Sequence, residues 1–575
     1  MKVFRKLLVS LMVILMLIFV ACNGKSRTNR STAPEMVNNA TAAPAPSKTP
    51  APQGTKSVHL ADQKVSTVNK DGLVDEAEVP PPVELSEGWM SAAKRKNSGF
   101  DTEDYSPIVE NKFLEAGPNP LSTFSIDVDE AAYSNIRRYI ENGSMPPAGA
   151  VRIEEMINYF DYSYPQPVKE EPFSVNTEIA GCPWSPQHRL VHIGLQGKEI
   201  PLVNLPAANL VFLIDVSGSM EDENKLPLVK ASMNMLVDNL RSDDKVAIVV
   251  YAGNAGLVLP STSGGNKAAI KEAINNLEAG GSTAGGEGIQ LAYKIARQEF
   301  IQNGNNRIIL ATDGDFNVGL SSDDAMVRLI EKERQSGVFL SVLGYGMGNY
   351  KDNKMQLLAD KGNGNHSYID NINEARKVLV SEFGSTLFTI AKDVKLQLEF
   401  NPSKVQAYRL IGYENRVMAA EDFNDDKKDA GELGSGHTVT ALYEIIPVGV
   451  KSEFIKAVDP LKYQPSKNNI TTASNTEEIM TIKLRYKKPD GDVSALITHP
   501  VMDVQGDLAN TSENFRFSAA VASFGMLLRD SEFKQLSNWQ QVISLAKGAK
   551  GADANGYRQE FIKLVQAASS MIAKK

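Results

Sequence analysis

Cysteine is nearly absent from this chain: Cys22 and Cys182 are the only two in 575 residues. That excludes a disulfide scaffold, a zinc finger built on cysteines and an iron–sulfur centre with four thiolates. Any metal is therefore expected on oxygen ligands. Positive charge is not in excess, since 61 Lys and Arg stand against 69 Asp and Glu for a net charge of -8. A general nucleic-acid binder needs a basic surface to displace counterions, so no nucleic-acid partner is expected. The six histidines (His59, His188, His192, His366, His437 and His499) are scattered. There is no Gly-x4-Gly-Lys-[Ser/Thr] loop for ATP, and Ser217 lacks a Gly-x-Ser-x-Gly elbow. What is present is 42% apolar and 23% charged residues, enough for two to four domains at roughly 100–200 residues each.

The amino end carries Lys2, Arg5 and Lys6, then an almost unbroken apolar run, Leu7–Val20. That run is within signal-peptide length and short of the ~20 residues that span a bilayer. It ends in Phe19-Val20-Ala21-Cys22, which resembles the lipobox of bacterial lipoproteins. The resemblance implies acylation of Cys22 and a stable lipid anchor on the extracytoplasmic side of the cell envelope, at a periplasmic or surface location. Cys182 then has no partner and is expected to be a buried thiol. Residues 1–22 are thus read as a lipoprotein signal peptide and residues 23–95, rich in Pro, Ala, Thr, Ser and Lys, as a tether whose composition cannot repay ordering entropy.

Beyond the tether, residues 96–170 read as an α+β segment, with a half-buried strand at Phe124–Asp129 and helices carrying Tyr133, Ile136 and Ile140 and then Val151–Phe160. The pair Asp127-x-Asp129 is read as a solvent-facing strand residue plus a helix N-cap. Residues 171–204 show period-two strands. His188 and His192, four apart there, sit ~13 Å from each other on an extended chain and cannot share an ion.

From 205 to 391 nearly continuous apolar strands (Leu210–Ile214, Val246–Val250, Ile308–Leu310, Val338–Leu343) alternate with amphipathic helices carrying Val229, Met233, Leu236 and Leu240, then Met326, Leu329 and Ile330, then Leu379, Phe383 and Leu387. That alternation predicts an α/β fold with a doubly wound parallel sheet. Period-two runs return over 392–505 (Val394 to Phe400, Val439 to Ile445, Met480 to Tyr486), as antiparallel strands with one wet face, and residues 506–575 read as terminal helices. The strands on either side of the α/β region are expected to pair into one sheet or sandwich.

Open α/β sheets bind ligands outside the carboxyl ends of their strands. At those ends stand Asp215-Val216-Ser217-Gly218-Ser219, a glycine-rich loop containing Thr283, and Thr312-Asp313. Hydroxyls and carboxylates from three loops make an oxygen-only cage of few ligands, which suits Mg²⁺, or Mn²⁺ or Ca²⁺, with several waters retained. If the hydroxyls touch the ion directly and the carboxylates act through water, the ion lacks one ligand, and a carboxylate from a partner completes it.

Asp215-x-Ser217-x-Ser219, Thr283 and Asp313 resemble, residue by residue, the metal-ion-dependent adhesion site of von Willebrand factor type A domains. The resemblance implies that the Ser and Thr hydroxyls bind the ion and the Asp residues complete its sphere. The segment Phe124–Tyr164 and the stretch from Ala375 through Arg409-Leu410-Ile411-Gly412-Tyr413-Glu414-Asn415-Arg416 resemble the extra regions of a bacterial lipoprotein subfamily with a central type A domain. These readings predict a tethered binding module, not an enzyme, that captures an acidic residue on a protein partner. An envelope assembly scaffold with a structural metal and a metal-dependent hydrolase are the alternatives.

Overall fold

The computed structural model describes residues 102–168, 171–201, 204–281, 285–314, 323–382, 388–428, 430–455, 476–489 and 491–574. The predicted signal peptide, Cys22 and the whole of the tether lie outside them. From the amino end, β1 (Leu114–Glu115) and β2 (Leu121–Ser125) precede helices α1 (Ala131–Glu141) and α2 (Ile153–Asn158), and then the hairpin of β3 (Phe173–Cys182) and β4 (Ser185–Gly197). Helix α1 buries Tyr133, Ile136 and Ile140 on one side and stops at Gly143, whose φ of 75° is left-handed; glycine takes that conformation at no steric cost.

The central region runs β5 (Ala208–Asp215), α3 (Leu226–Asn239), β6 (Lys245–Tyr251), β7 (Ala255–Ser263), α4 (Lys267–Asn275), α5 (Gly285–Gln298), β8 (Asn305–Thr312), α6 (Asp323–Glu333), β9 (Val338–Tyr345), α7 (Asp352–Lys361), β10 (His366–Ile369) and α8 (Ile372–Arg376). Its strands form a six-stranded sheet in the order β10-β9-β8-β5-β6-β7. All neighbours are parallel except the edge pair β6 and β7. Successive strand residues face opposite sides, and the core divides accordingly. Leu210, Phe212 and Ile214 pack with Val229, Met233 and Leu236 of α3 and Ile270 of α4. Val211 and Leu213 pack with Ile289 and Tyr293 of α5, Met326 and Ile330 of α6, and Leu358 of α7. Both faces are covered, which is why these strands read as continuous apolar runs.

The remainder is β11 (Thr389–Phe400), β12 (Val405–Ile411), β13 (Val417–Met418), β14 (Gly431–Gly434), β15 (Thr438–Pro447), β16 (Glu478–Lys487) and β17 (Ser494–Met502), followed by α9 (Glu513–Arg529), α10 (Trp539–Gly548) and α11 (Tyr557–Ala573). Strands from both sides of the central region pair: β4 lies antiparallel to β15, and β2 to β11. The sheets β1-β12-β15-β4-β3 and β13-β2-β11-β16-β17 enclose one core of Phe124, Ile193, Leu396, Leu398, Tyr443, Ile482 and Leu484. The type A-like region is thus inserted into a sandwich.

The α/β fold class is as expected, with β7 adding one antiparallel edge strand; it is half exposed and contains Pro260, so it carries little apolar periodicity. Three expectations are corrected. The sheet containing β15 has no wet face, because Leu190, Ile411 and Leu442 on its second side pack against α9, α10 and α11. Asp129 is not an N-cap: it is 1% exposed, accepts a hydrogen bond from the His366 backbone N–H at 2.8 Å, and α1 has no side-chain cap. Leu379 falls in a short wide-helical turn, Lys377–Ser381, while Phe383 and Leu387 lie outside the described residues. Among the described residues no helix is long and apolar enough to cross a membrane.

Candidate metal centre

Strand β5 ends at Asp215 and the chain turns at once. The Ser217 N–H donates to Asp215 Oδ1 at 2.9 Å, and Ser217 Oγ lies 3.1 Å from Ser219 Oγ. The neighbouring strand β8 ends at Thr312, whose hydroxyl donates to Asp215 Oδ2 at 3.2 Å, and Asp313 follows directly. Asp215, Ser217 and Asp313 are buried and Ser219 half-buried. The glycine-rich loop is anchored to the same turn, because Gly280 N–H donates to the Val216 carbonyl at 2.7 Å and Gly218 N–H to the Gly281 carbonyl at 3.1 Å. Four of the five predicted ligands therefore converge at the carboxyl ends of two adjacent strands. The fifth, Thr283, lies outside the described residues, two positions beyond Gly281.

Two residues in this cluster escaped the sequence reading. Lys225, buried at the start of α3, places Nζ 3.0 Å from Asp313 Oδ2 and 2.9 Å from the Ser219 carbonyl. Asn349, in the loop after β9, donates from Nδ2 to Asp313 Oδ2 at 2.9 Å and accepts from Lys225 at 3.3 Å. A Cβ on Gly346 would come within 2.5 Å of Lys225 Cε, so that glycine leaves room for the lysine stem. A lone lysine in the acidic stretch Glu221-Asp222-Glu223-Asn224 reads as a solvated charge, and no sequence signal distinguishes it.

The electrostatics fit a cation. Burial pushes the Asp215 carboxyl up to about 6, with the Asp313 charge adding to the rise against the hydrogen bonds from Ser217. Burial also raises Asp313, but Asn349 and the Lys225 ammonium outweigh it and hold that carboxyl below its ordinary value. Two buried carboxylates with one ammonium leave a net negative charge, which a divalent ion relieves. The donor set is hard oxygen throughout, as Mg²⁺, Mn²⁺ or Ca²⁺ requires. Elsewhere, His188 and His192 go to separate partners, Glu444 at 2.6 Å and Tyr164 at 3.0 Å. Cys182 is a buried free thiol.

Three family models match successive stretches of the chain. Residues 209–380 match the von Willebrand factor type A domain, residues 99–192 a model described as von Willebrand factor, and residues 385–571 one described as "Uncharacterized protein YfbK, C-terminal". The chain is 44% identical over 494 residues to "Uncharacterized protein YfbK" of Escherichia coli (strain K12), covering 84% of each chain. It is 29% identical over 200 residues to "Uncharacterized protein sll0103" of Synechocystis sp., covering 34% of this chain and 45% of that protein. Among solved structures, the conserved hypothetical protein BatB from Bacteroides thetaiotaomicron aligns at 25% identity with a TM-score of 0.27, covering 31% of this chain and 97% of that one. The chain belongs to the family of the Escherichia coli protein YfbK, with a von Willebrand factor type A domain at its centre.

Proposed function

We propose that this protein is an extracytoplasmic lipoprotein, anchored through Cys22, whose type A domain captures an acidic residue of a protein partner through a divalent ion, Mg²⁺ by preference. Asp215, Ser217, Ser219, Thr283 and Asp313 would hold the ion. The observation that carries this reading is the meeting of Asp215, Ser217, Ser219 and Asp313 in one buried oxygen cluster. When bound, such an ion offers an open electrophilic position to a carboxylate. The chain's own residues do the rest: Ser217 and Thr312 fix the rotamer of Asp215, while Lys225 and Asn349 fix that of Asp313. Binding is favoured over turnover because, among the described residues, Ser217 donates to no histidine, and the two partnered histidines of β4 lie in the sandwich.

The test is a pull-down from envelope extract with the full chain in Mg²⁺, in chelator, and with Asp215→Ala. The reading predicts a partner retained by wild type in Mg²⁺ and lost in the other two. A partner held equally in all three arms would favour the scaffold with a structural metal.

A further inference from the structure

The described chain begins beside the metal centre. Residues 102–106, which follow soon after the predicted tether, run as a short strap along the loop between β9 and α7, with Asp104 and Lys351 in a parallel bridge. That loop leaves the carboxyl end of β9, the same edge of the sheet as Asp215 and Asp313. It carries Asn349, whose Nδ2 donates to Asp313 Oδ2 at 2.9 Å. Of the two donors on that oxygen, the Lys225 ammonium acts as a point charge, whereas the Asn349 amide fixes direction.

By its own sequence the loop is badly suited to aim a side chain. Gly346 and Gly348 flank Met347 with φ of 76° and 90°, and glycine has more backbone freedom to lose on ordering than any other residue. The strap supplies the order. The Thr102 N–H donates to the Gly348 carbonyl at 2.8 Å and the Asp104 N–H to the Tyr350 carbonyl at 3.1 Å, while the Gly348 N–H donates to Glu103 Oε1 at 2.8 Å. Both neighbours of Asn349 are thus pinned. Beyond them, Lys351 Nζ donates to the Thr102 carbonyl and the Ser106 N–H to Asn353 Oδ1 at 2.6 Å; at the near end the Tyr368 hydroxyl donates to the Gly346 carbonyl at 2.5 Å. Glu103 is backed in turn by Arg138 and Tyr139 of α1, at 2.6 to 2.7 Å.

We propose that Thr102, Glu103 and Asp104 are positioning residues for the metal centre, acting through Asn349, so that the strap and the ion are reciprocally coupled. The inference rests on the metal reading above. With the strap in place the loop is already ordered when the ion arrives; without it, the ion has to order the loop as it binds and is held more weakly. Linkage makes the effect mutual: a bound ion protects the strap by the same factor by which the strap tightens the ion. The stretch that joins the fold to the predicted tether thereby registers whether the centre is loaded.

The test is calorimetric titration of the full chain with Mg²⁺, comparing wild type with Asn349→Ala, with Glu103→Ala, with both together, and with Thr102→Pro and Asp104→Pro combined. The prolines remove two backbone donors of the strap and leave the loop's own sequence intact. Asn349→Ala is expected to weaken binding about tenfold or more, and each strap variant about fivefold. In the Asn349→Ala background, Glu103→Ala is expected to cause no further loss. Residue-resolved amide hydrogen exchange reads the reverse direction: saturating Mg²⁺ is expected to slow exchange at Gly348 and Asp104 about fivefold in wild type and not in Asn349→Ala. Should the strap variants fail to fold, that comparison carries the test alone. Strap variants that bind Mg²⁺ like wild type, losses that add to that of Asn349→Ala, or exchange unchanged by Mg²⁺ in a wild type that binds it would overturn the proposal. A wild type that binds no Mg²⁺ would overturn the metal reading and this inference with it.

Discussion

The Lys225 ammonium sits 3.0 Å from Oδ2 of Asp313, so the proposed metal centre carries a cation of its own. A fixed positive charge a few ångströms from a divalent ion repels it. Lys225→Met should therefore tighten Mn²⁺ binding, by about tenfold, equivalent to about 1.4 kcal/mol. Calorimetric titration reads the effect, and weaker binding would mean that the hold of Lys225 on Asp313 outweighs its repulsion of the ion.

Glycine at 314 is required by the backbone. Its φ is 89°, and a Cβ there would fall 2.7 Å from the Lys351 backbone nitrogen. Gly314→Ala should lower stability by about 1–3 kcal/mol and, acting on the neighbouring Asp313, weaken metal binding as well. Urea unfolding together with the titration checks both; a variant matching wild type in each would refute the strain.

A pH dependence follows from Glu103, which ties the segment before β1 to the loop after β9. It accepts from both Arg138 Nη atoms at 2.6 and 2.7 Å and from the Gly348 N–H at 2.8 Å. Burial pushes this carboxyl up, but the Arg138 bonds and charge, with Gly348 and Tyr139, outweigh it and hold it at about 2 against an ordinary 4.5. A carboxyl lowered on folding stabilises fully above its unfolded value and loses that contribution as pH falls. The contribution, roughly 3 kcal/mol at neutral pH, should disappear between about pH 5 and 2. Unfolding free energies measured across that range should fall more steeply for wild type than for Glu103→Gln; equal slopes would count against the assignment.

The sandwich and the terminal helices meet at Glu444. This buried carboxylate accepts from Trp184 Nε1 at 3.0 Å, His188 Nδ1 at 2.6 Å, Arg409 Nη2 at 3.1 Å and Gln535 Nε2 at 3.1 Å. Glu444→Leu would strand a buried guanidinium and should cost about 3–5 kcal/mol, read by chemical denaturation. A loss under about 1 kcal/mol would show that the network relaxes around the change.

What was legible in the sequence was local. The strands leading to Asp215 and Asp313 contain uninterrupted apolar runs, and the rule that ligands gather at carboxyl ends of parallel strands puts those two residues together without coordinates. The period-two runs from Val394 and Val439 likewise announced strands that prove to pair with β2 and β4. What escaped depends on contacts between distant segments. Lys225 and Asn349 reach Asp313 from separate loops. Asp129 looks like a cap until Arg416 and His366 arrive from elsewhere in the chain. Glu444, a polar position in the period-two run from Val439, is buried because helices later in the sequence cover its sheet.

The central claim is that a divalent ion binds the cluster of Asp215, Ser217, Ser219, Thr283 and Asp313, and calorimetric titration of the full chain with Mg²⁺ and Mn²⁺ tests it most directly. The account predicts saturable binding in wild type that Asp215→Ala and Thr283→Ala each abolish while folding is retained. Binding that persists in both variants, or its absence in wild type, would contradict it.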